Sequence, residues 1–355
     1  MSYKAPNFSN YEKYQQCVFA PAPEDCVLPD GFLSTTNYPT YVKIEKDWFL
    51  AENPRMDGHI VWDPHLQQLE VKEFRAIRKN DLVAVAEKED GTQGILVWDG
   101  GWKQEQDEEG FSFMTSDISR EKPVDYEAIF DAFRKHKEKG HIVWVIGPAL
   151  VHARGRVAME WIIEQGFCHS LLTGNAVAVH DIESALFGST LGMKSDGTGA
   201  SGGHSCHMRA INEIKKSGSV SQTIFSKNIK TGIMSALVRN KVPYVLAGSI
   251  RDDGPLPDTI TDAVLAQAAM RKYTSKATMV VMVATALHSI AVGNMLPTYY
   301  LNNEGIPEEL VTICVDQTEF LVSKLKDRGT HQAFGVVTNA QDFMRLLQLE
   351  LSKEY

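Results

Sequence analysis

The sequence predicts an α/β protein: a doubly wound, mostly parallel sheet preceded by a smaller β-rich N-terminal domain. Three observations carry this reading. In the last two-thirds of the chain, continuous apolar runs of strand length alternate with helix-length segments, the pattern of a parallel sheet covered on both faces. Ahead of them lie short β-like runs separated by turn-forming Asp-Pro, Lys-Asn-Asp and Asp-Gly. The residues that follow the apolar runs are polar and glycine-rich, and open parallel sheets bind ligands beyond the carboxyl ends of their strands.

Taken in order, residues 1–40 are rich in Pro, Asn, Ser and Tyr, lack periodicity and are expected to form an irregular arm. Residues 41–120 form the β-rich domain, in a substrate-binding or lid role. Its strands are expected at Ile60–Trp62, Leu69–Phe74, Leu82–Val85 and Ile95–Trp98. The acidic stretch Gln104–Gly110 reads as an exposed loop. Residues 121–355 form the doubly wound domain. Pro123–Lys139 opens it as a helix, followed by strands at His141–Ile146, His169–Leu172, Tyr244–Ala247, Thr278–Val283, Val311–Val315 and Ala333–Val337. Helices are expected at Arg156–Gln165, Ala176–Phe187, His204–Ser217, Gly232–Arg239, Asp258–Tyr273, Glu319–Asp327 and Asn339–Ser352. No internal repeat or low-complexity tract interrupts the chain.

Composition narrows the class. The 355 residues are 43% hydrophobic and 23% charged, ordinary for a protein with a sizeable core. The formal net charge is -9 and no Lys/Arg cluster stands out, which speaks against nucleic acid as the partner. The five cysteines are widely spaced and odd in number, which predicts a reducing compartment, hence the cytoplasm, and no disulfide framework. Met1–Tyr14 has no apolar signal core. The one long apolar stretch, Ala277–Met295, contains His288, Ser289 and Asn294, and reads as a buried strand running into a loop and helix rather than a membrane span.

The strand-end segments are where chemistry is expected. They are Gly147-Pro148-Ala149, Thr173-Gly174-Asn175, Gly248 through Asp258, and His288 through Asn294, with Asp316 closing the fifth strand. A carboxylate at such a strand end suits the hydroxyls of a ribose. No G-x-G-x-x-G follows a strand, so a dinucleotide site and plain turn-and-cap chemistry both stay open. Asp258 is an N-cap candidate for the helix expected after it. The other dense polar cluster is Gly202–Asn212, G-G-H-S-C-H-M-R-A-I-N. Its H-x-C-H spacing does not match paired metal ligands, so no metal is expected. A substrate carboxylate near Arg209 at this glycine-rich helix start is the more natural occupant, against the alternative of a flexible loop entering an amphipathic helix. Cys206 has the position of a helix-start nucleophile, but nothing singles it out. Cys168 and Cys314 read as core thiols.

These motifs, with their neighbours, resemble one family. GPALVH (Gly147–His152), LLTGNAVAVHDIESALFGSTLG (Leu171–Gly192), GGHSCHMRAIN (Gly202–Asn212), TGIM (Thr231–Met234), VPYVLAGSIRDDGPLPDTI (Val242–Ile260), LHSIAVGNMLP (Leu287–Pro297), CVDQTE (Cys314–Glu319) and DRGTHQAFGVVTN (Asp327–Asn339) run in the order of the conserved region of lysine-oxoglutarate reductase/saccharopine dehydrogenase. That family includes the archaeal-type ornithine cyclodeaminases and the C-terminal half of the cyanobacterial arginine-to-proline enzymes. ENPRMDGHIV (Glu52–Val61) resembles its N-terminal part. A weaker likeness joins Asp253-Gly254…Asp258 and His288…Asn294 to deoxyhypusine synthase, which binds NAD without the common glycine fingerprint. The chain departs from the family at the glycine-rich Ser195–Ser201 stretch and at Gln317.

The resemblance implies a deoxyhypusine-synthase-like Rossmann variant over residues 121–355, with NAD as cofactor. It implies an NAD-dependent ornithine cyclodeaminase, forming L-proline and ammonia by internal hydride transfer. Asp252, Asp253 and His288 are then the expected catalytic groups. Expected cofactor contacts are Gly147, Pro148 and Asn175, then Gly248, Ser249, Gly254 and Asp258, and finally Gly293, Asn294 and Asp316. His207 and Arg209, with Arg55 and Asp57 from the first domain, are expected to hold the amino acid. The expected assembly is a homo-oligomer, dimer or tetramer, with neither nucleic acid nor membrane as partner, working in proline biosynthesis and arginine catabolism. Two alternatives stand beside this. One is a relative acting on another amino acid, such as lysine cyclodeamination to pipecolate or a conventional NAD-linked amino-acid or opine dehydrogenase. The other is a non-enzymatic nucleotide-binding regulatory protein.

Overall fold

The computed structural model describes residues 3–36, 38–102, 124–194, 197–200, 202–250, 252, 254–319, 322 and 333–354. The chain divides into two compact units, Met1–Pro123 with Pro297–Leu310, and Val124–Leu296 with Val311–Tyr355.

The second unit is built on a seven-stranded sheet. In spatial order its strands are Thr259–Ile260, Tyr244–Ala247, Ser170–Gly174, Ile142–Ile146, Met279–Val283, Val311–Asp316 and Ala333–Val337. Every pairing is parallel. Continuous apolar strands are what such a sheet requires, because helices cover both faces. Ile142–Ile146 and Met279–Val283 are buried at every position. Trp144, fully buried, donates its indole N–H to the Phe167 carbonyl at 2.9 Å, so its one polar atom is satisfied. One core runs from Ile129 and Phe133 on the opening helix to Phe343 and Leu347 on the last.

The chain first builds outward from Ile142–Ile146 on one side, then returns and builds from Met279–Val283 on the other. The order therefore reverses between these two neighbours, and their carboxyl ends open the crevice in which doubly wound folds bind ligands.

Most strands and helices fall where the sequence places them, within a residue or two. The differences are informative. Asp258 does not cap the helix that follows it. It is followed by the edge strand Thr259–Ile260, and the next helix, Ala263–Thr274, is capped by Asp262, whose side chain accepts from Leu265 N at 2.8 Å. The sequence reading also passed over the short helices Pro148–His152 and Val220–Ser226. The helix expected at Glu319–Asp327 lies largely outside the described residues, as do Gln104–Gly110 and parts of Ser195–Ser201.

The first unit holds a four-stranded antiparallel sheet, ordered Val18–Pro21, Leu82–Val85, His59–Asp63 and Gln68–Lys72. A three-stranded sheet is ordered Asp47–Leu50, Thr40–Ile44 and Ile95–Val97. Val42, Ile60, Leu69, Val71 and Ile95 share one core. The strand Val18–Pro21 arises within the stretch expected to be irregular, paired with Leu82–Val85. Lys43 is 4% exposed, and its ammonium donates to the carbonyls of Tyr11, Glu12 and Tyr14 at 3.2, 2.8 and 2.9 Å. Three acceptors for three protons satisfy a charge that burial would otherwise make costly. A distant hairpin, Tyr299–Leu301 with Pro307–Glu309, completes the unit.

Candidate active site

The reversal crevice is lined by backbone. Gly147 ends the first strand, and its N–H donates to the Val283 carbonyl at 3.0 Å. A Cβ at Gly147 would stand 2.0 Å from the Ala284 oxygen and 2.8 Å from the Thr285 Cβ, so only glycine lets these strand ends close together. Thr285 caps the helix Ala286–Gly293, its hydroxyl 3.4 Å from His288 N and 3.3 Å from His288 Nδ1. A Cβ on Gly174 would meet the His288 Cε1 at 2.7 Å, so the imidazole lies against the end of the second strand. Burial pushes the His288 pKa down, opposed by the charge of Asp252. The imidazole is therefore held toward its neutral, proton-accepting form. Asp252 itself closes a tight turn, its Oδ2 accepting from Ser249 N at 2.8 Å and its N–H donating to the Ser249 carbonyl at 3.2 Å.

Asp316 ends the strand beside Met279–Val283, and Ala284 N donates to the Val315 carbonyl at 3.0 Å. Its Oδ1 accepts from Thr318 N and Oγ1 at 3.0 and 2.9 Å, which fixes the carboxylate and leaves Oδ2 without a partner among the described residues. Gly147, Pro148, Asp316, His288 and the Ser249–Asp252 turn thus all stand at the carboxyl end of the sheet. Gly293 closes its helix, and Asn294 follows it, exposed. Asp253 lies outside the described residues.

Four other expected contacts have structural work. Asn175 is 5% exposed, and its Oδ1 accepts from Leu256 N at 3.0 Å and Thr259 Oγ1 at 2.8 Å, tying the long loop after the third strand to the second strand's end. Asp258 accepts from Val220 N at 2.8 Å and from the Tyr244 hydroxyl at 3.4 Å. Gly248 donates to Ile260 at 2.8 Å, and a Cβ there would press on Thr261 at 3.1 Å. Gly254 packs against Ile211, whose Cγ2 would lie 3.3 Å from a Cβ.

His207 and Arg209 sit in the first turn of the helix Cys206–Ser217, with Arg209 exposed. Cys206 is buried. Arg55 and Asp57 belong to the other unit. There the Arg55 guanidinium pairs with Glu73 at 2.9 Å and Asp57 N donates to the Thr35 carbonyl at 3.0 Å.

The sequence reading missed a buried group beside His207. His180 and Glu183 lie on the helix Asn175–Phe187, and His152 ends the helix Pro148–His152. His180 Nδ1 is 2.9 Å from Glu183 Oε2. The rings of His152 and His180 meet edge-on with centroids 4.7 Å apart, and His207 lies 6.3 Å beyond His180. Glu183 is fully buried and also accepts from Leu191 N, Gly192 N and Ser189 Oγ at 3.2, 3.3 and 3.3 Å. Burial pushes its pKa up, but the His180 hydrogen bond and these N–H donors outweigh that and leave it lowered. A signal existed: His180, Asp181 and Glu183 interrupt a helix whose other residues, apart from Asn175 and Ser184, are apolar. Among the described residues no group of three or more His, Cys, Asp or Glu is arranged to hold a metal ion. No helix among them is long and apolar enough to cross a membrane.

The crevice suits a dinucleotide: Gly147 and Gly174 let the strand ends and the His288 ring pack closely, and Asp316 offers a fixed carboxylate oxygen. Fold and site together define a Rossmann-type nucleotide-binding protein. Residues 127–347 match the model described as "Arginine dihydrolase ArgZ-like, C-terminal, Rossmann fold", and residues 39–127 match its "first region". The chain belongs to this ArgZ-like C-terminal family. It is 44% identical over 345 residues to the ornithine cyclodeaminase of Methanocaldococcus jannaschii, covering 94% of this chain and 77% of that one. The crystal structure of a conserved LOR/SDH protein from Methanococcus maripaludis superposes with a TM-score of 0.86 at 40% identity, covering 96% of this chain and 99% of the other. AgrE, a bifunctional arginine dihydrolase/ornithine cyclodeaminase of Nostoc, was solved as a ternary complex with ornithine and NAD+. That structure matches 97% of this chain and 47% of its own at 35% identity, with a TM-score of 0.60.

Proposed function

We propose that this chain is an NAD-dependent ornithine cyclodeaminase that converts L-ornithine to L-proline and ammonia. One observation carries it: the 44% identity to an ornithine cyclodeaminase spans 94% of the chain, through both units. Bound NAD supplies a reversible hydride acceptor for the substrate Cα and is regenerated within the turnover. Its ribose is read by Asp316, with Gly147, Pro148, Ser249, Gly293 and Asn294 around it. Asn175, Gly248, Gly254 and Asp258 shape the loop behind that surface. His288, held toward neutrality by burial, takes a proton from a substrate ammonium, and Asp252 with Asp253 balances the resulting charge. Arg209 and His207 bind the amino acid.

The setting follows from the chemistry. The five free cysteines, four of them buried, fit a reducing cytoplasm. Exposed Leu265 and Leu287, on successive helices of the chain, fit a homo-oligomer. The product places the reaction in proline formation from arginine-derived ornithine.

The test offers amino acids singly, with NAD added or omitted, and measures ammonia, cyclic product and NADH. Proline and ammonia in equal amounts from ornithine, with no net NADH, is the expected result. Accumulating NADH would make the protein a conventional dehydrogenase, and pipecolate from lysine alone would change the substrate.

A further inference from the structure

The group formed by His152, His180, Glu183 and His207 is not explained by packing. The Nδ1 atoms of His152 and His207 are buried, with no hydrogen-bond partner among the described residues. Each such atom costs about 1–3 kcal/mol, so two in one cluster mark a place where a hydrogen-bonding ligand is received. Between the two rings stands His180, whose Nδ1 is taken by Glu183. With that nitrogen donating to a carboxylate, Nε2 is left as the acceptor. Glu183 is itself fixed by the backbone of Leu191 and Gly192. Gly192 packs on Gly203, where a Cβ would come within 2.6 Å, just ahead of the helix that carries His207. The helices of His152 and His180 both begin at the crevice glycines, Gly147 and Gly174. At a rise of 1.5 Å per residue, both histidines lie about 9 Å along their helices from the strand ends Ile146 and Gly174.

The reaction needs such a group. Ornithine enters as a cation with two ammonium groups, and proline plus an ammonium ion leave with the same total protons and charge. The α-ammonium and the δ-ammonium must each lose a proton so that the δ-nitrogen can bond to Cα. When the bond from Cα to the original nitrogen breaks, its electron pair leaves with that nitrogen. Both stored protons are then returned, one to the departing ammonia and one to the ring nitrogen of proline. His288 can hold one of them.

We propose that His152, His180 and His207, with Glu183 behind them, form the pocket that receives the expelled nitrogen: it accepts a proton from the substrate ammonium and returns it to ammonia as the carbon–nitrogen bond breaks. Its ligand is a small ammonium ion or primary amine. Glu183 is a positioning residue that acts by fixing His180. The other charged groups on the packed elements are already engaged or exposed: Asp181 pairs with Arg156 at 2.6 Å, Arg239 bonds the Ile229 carbonyl at 2.7 Å, and Arg209 is exposed. This inference rests on the cyclodeaminase reading above.

Two measurements test it. In the NAD-bound protein with 15N-labelled histidine, ammonium chloride should shift the imidazole signals of His152 and His207, assigned through H152Q and H207Q. Potassium chloride, a cation of similar size that cannot donate a hydrogen bond, should not. No shift, or an equal shift with both salts, overturns the pocket, and this arm does not depend on ornithine being the substrate. In turnover, His180→Gln and Glu183→Gln should lower kcat by about 100-fold or more. NAD affinity should stay unchanged, and the solvent deuterium isotope effect should rise as proton return becomes limiting. Should His180→Gln not fold, His152→Gln carries the same measurement. A normal kcat, or a loss of kcat with an unchanged isotope effect, refutes the relay. A wild-type protein that makes no proline from ornithine refutes the cyclodeaminase reading instead.

Discussion

At the scale of single residues, charge placement decides the outcome. Asp316 offers one oxygen that Thr318 does not use. Asp316→Ala should raise the NAD dissociation constant about 10- to 100-fold, the loss of a charged hydrogen bond worth roughly 1.5–3 kcal/mol. Calorimetric titration of NAD checks this, and an unchanged constant would move the adenosine pocket elsewhere. Asp252 opposes the effect of burial on His288, so Asp252→Asn should move the His288 titration to lower pH. Histidine NMR reads that shift directly, and no movement would mean that the two side chains are not coupled. The strand-end positions of Gly147, Asp316 and His288 could be read from sequence, because apolar runs followed by polar residues mark the ends at which an open sheet binds ligands. Asn175 and Asp258 look the same in sequence, yet their carboxamide and carboxylate serve backbone N–H groups. A polar side chain at a loop does not announce whether it faces a ligand or its own main chain.

At the scale of elements, Asp181 links two helices through one carboxylate. It is 1% exposed and accepts from Ile233 N at 3.0 Å, Met234 N at 2.8 Å and Arg156 Nε at 2.6 Å. Asp181→Ala should cost about 3–5 kcal/mol, because it strands a partly buried guanidinium and uncaps the helix Ile233–Arg239. Denaturant unfolding measures it, and a loss under 1 kcal/mol would show that water replaces the carboxylate. The continuous runs Ile142–Ile146 and Met279–Val283 were legible because both faces are buried. The two-residue edge strand Thr259–Ile260 was not, since two residues carry no period. It displaced the helix start from Asp258 to Asp262. His180 and Glu183 escaped for a related reason: inside a helix-length apolar segment, a polar residue reads as a stray rather than as half of a pair.

For the whole molecule, acid should be the weak side. Burial, reinforced by the charges of His169 and Lys276, pushes His141 down to about 4. His169 and His152 are lowered as well, burial again leading. In the unfolded chain such groups titrate near 6.5, so above that pH they are neutral in both states and the native fold keeps its full stability. As pH falls from about 6.5 toward 4, the unfolded chain takes up protons that the native state refuses, and stability declines. Melting temperature should therefore drop across that window in buffers of equal ionic strength. A flat profile between pH 7 and 4 would show that these imidazoles protonate in place.

The hairpin Tyr299–Leu301/Pro307–Glu309 belongs to the first unit, although the second unit's chain lies between. Tyr299 is 1% exposed, and its hydroxyl donates to the Ala51 carbonyl at 3.3 Å. A ribosome delivers residue 51 long before residue 299. At roughly 5–20 residues per second, the N-terminal unit waits about 10–40 s after Pro123 has been made before its last piece arrives. During that interval the place of Tyr299 stands open in a half-finished β structure. Nascent chains stalled near residue 200 should thus be cut readily by protease within the first 100 residues, and chains stalled beyond the hairpin should resist. A gene rearranged so that the hairpin is translated first would remove the delay.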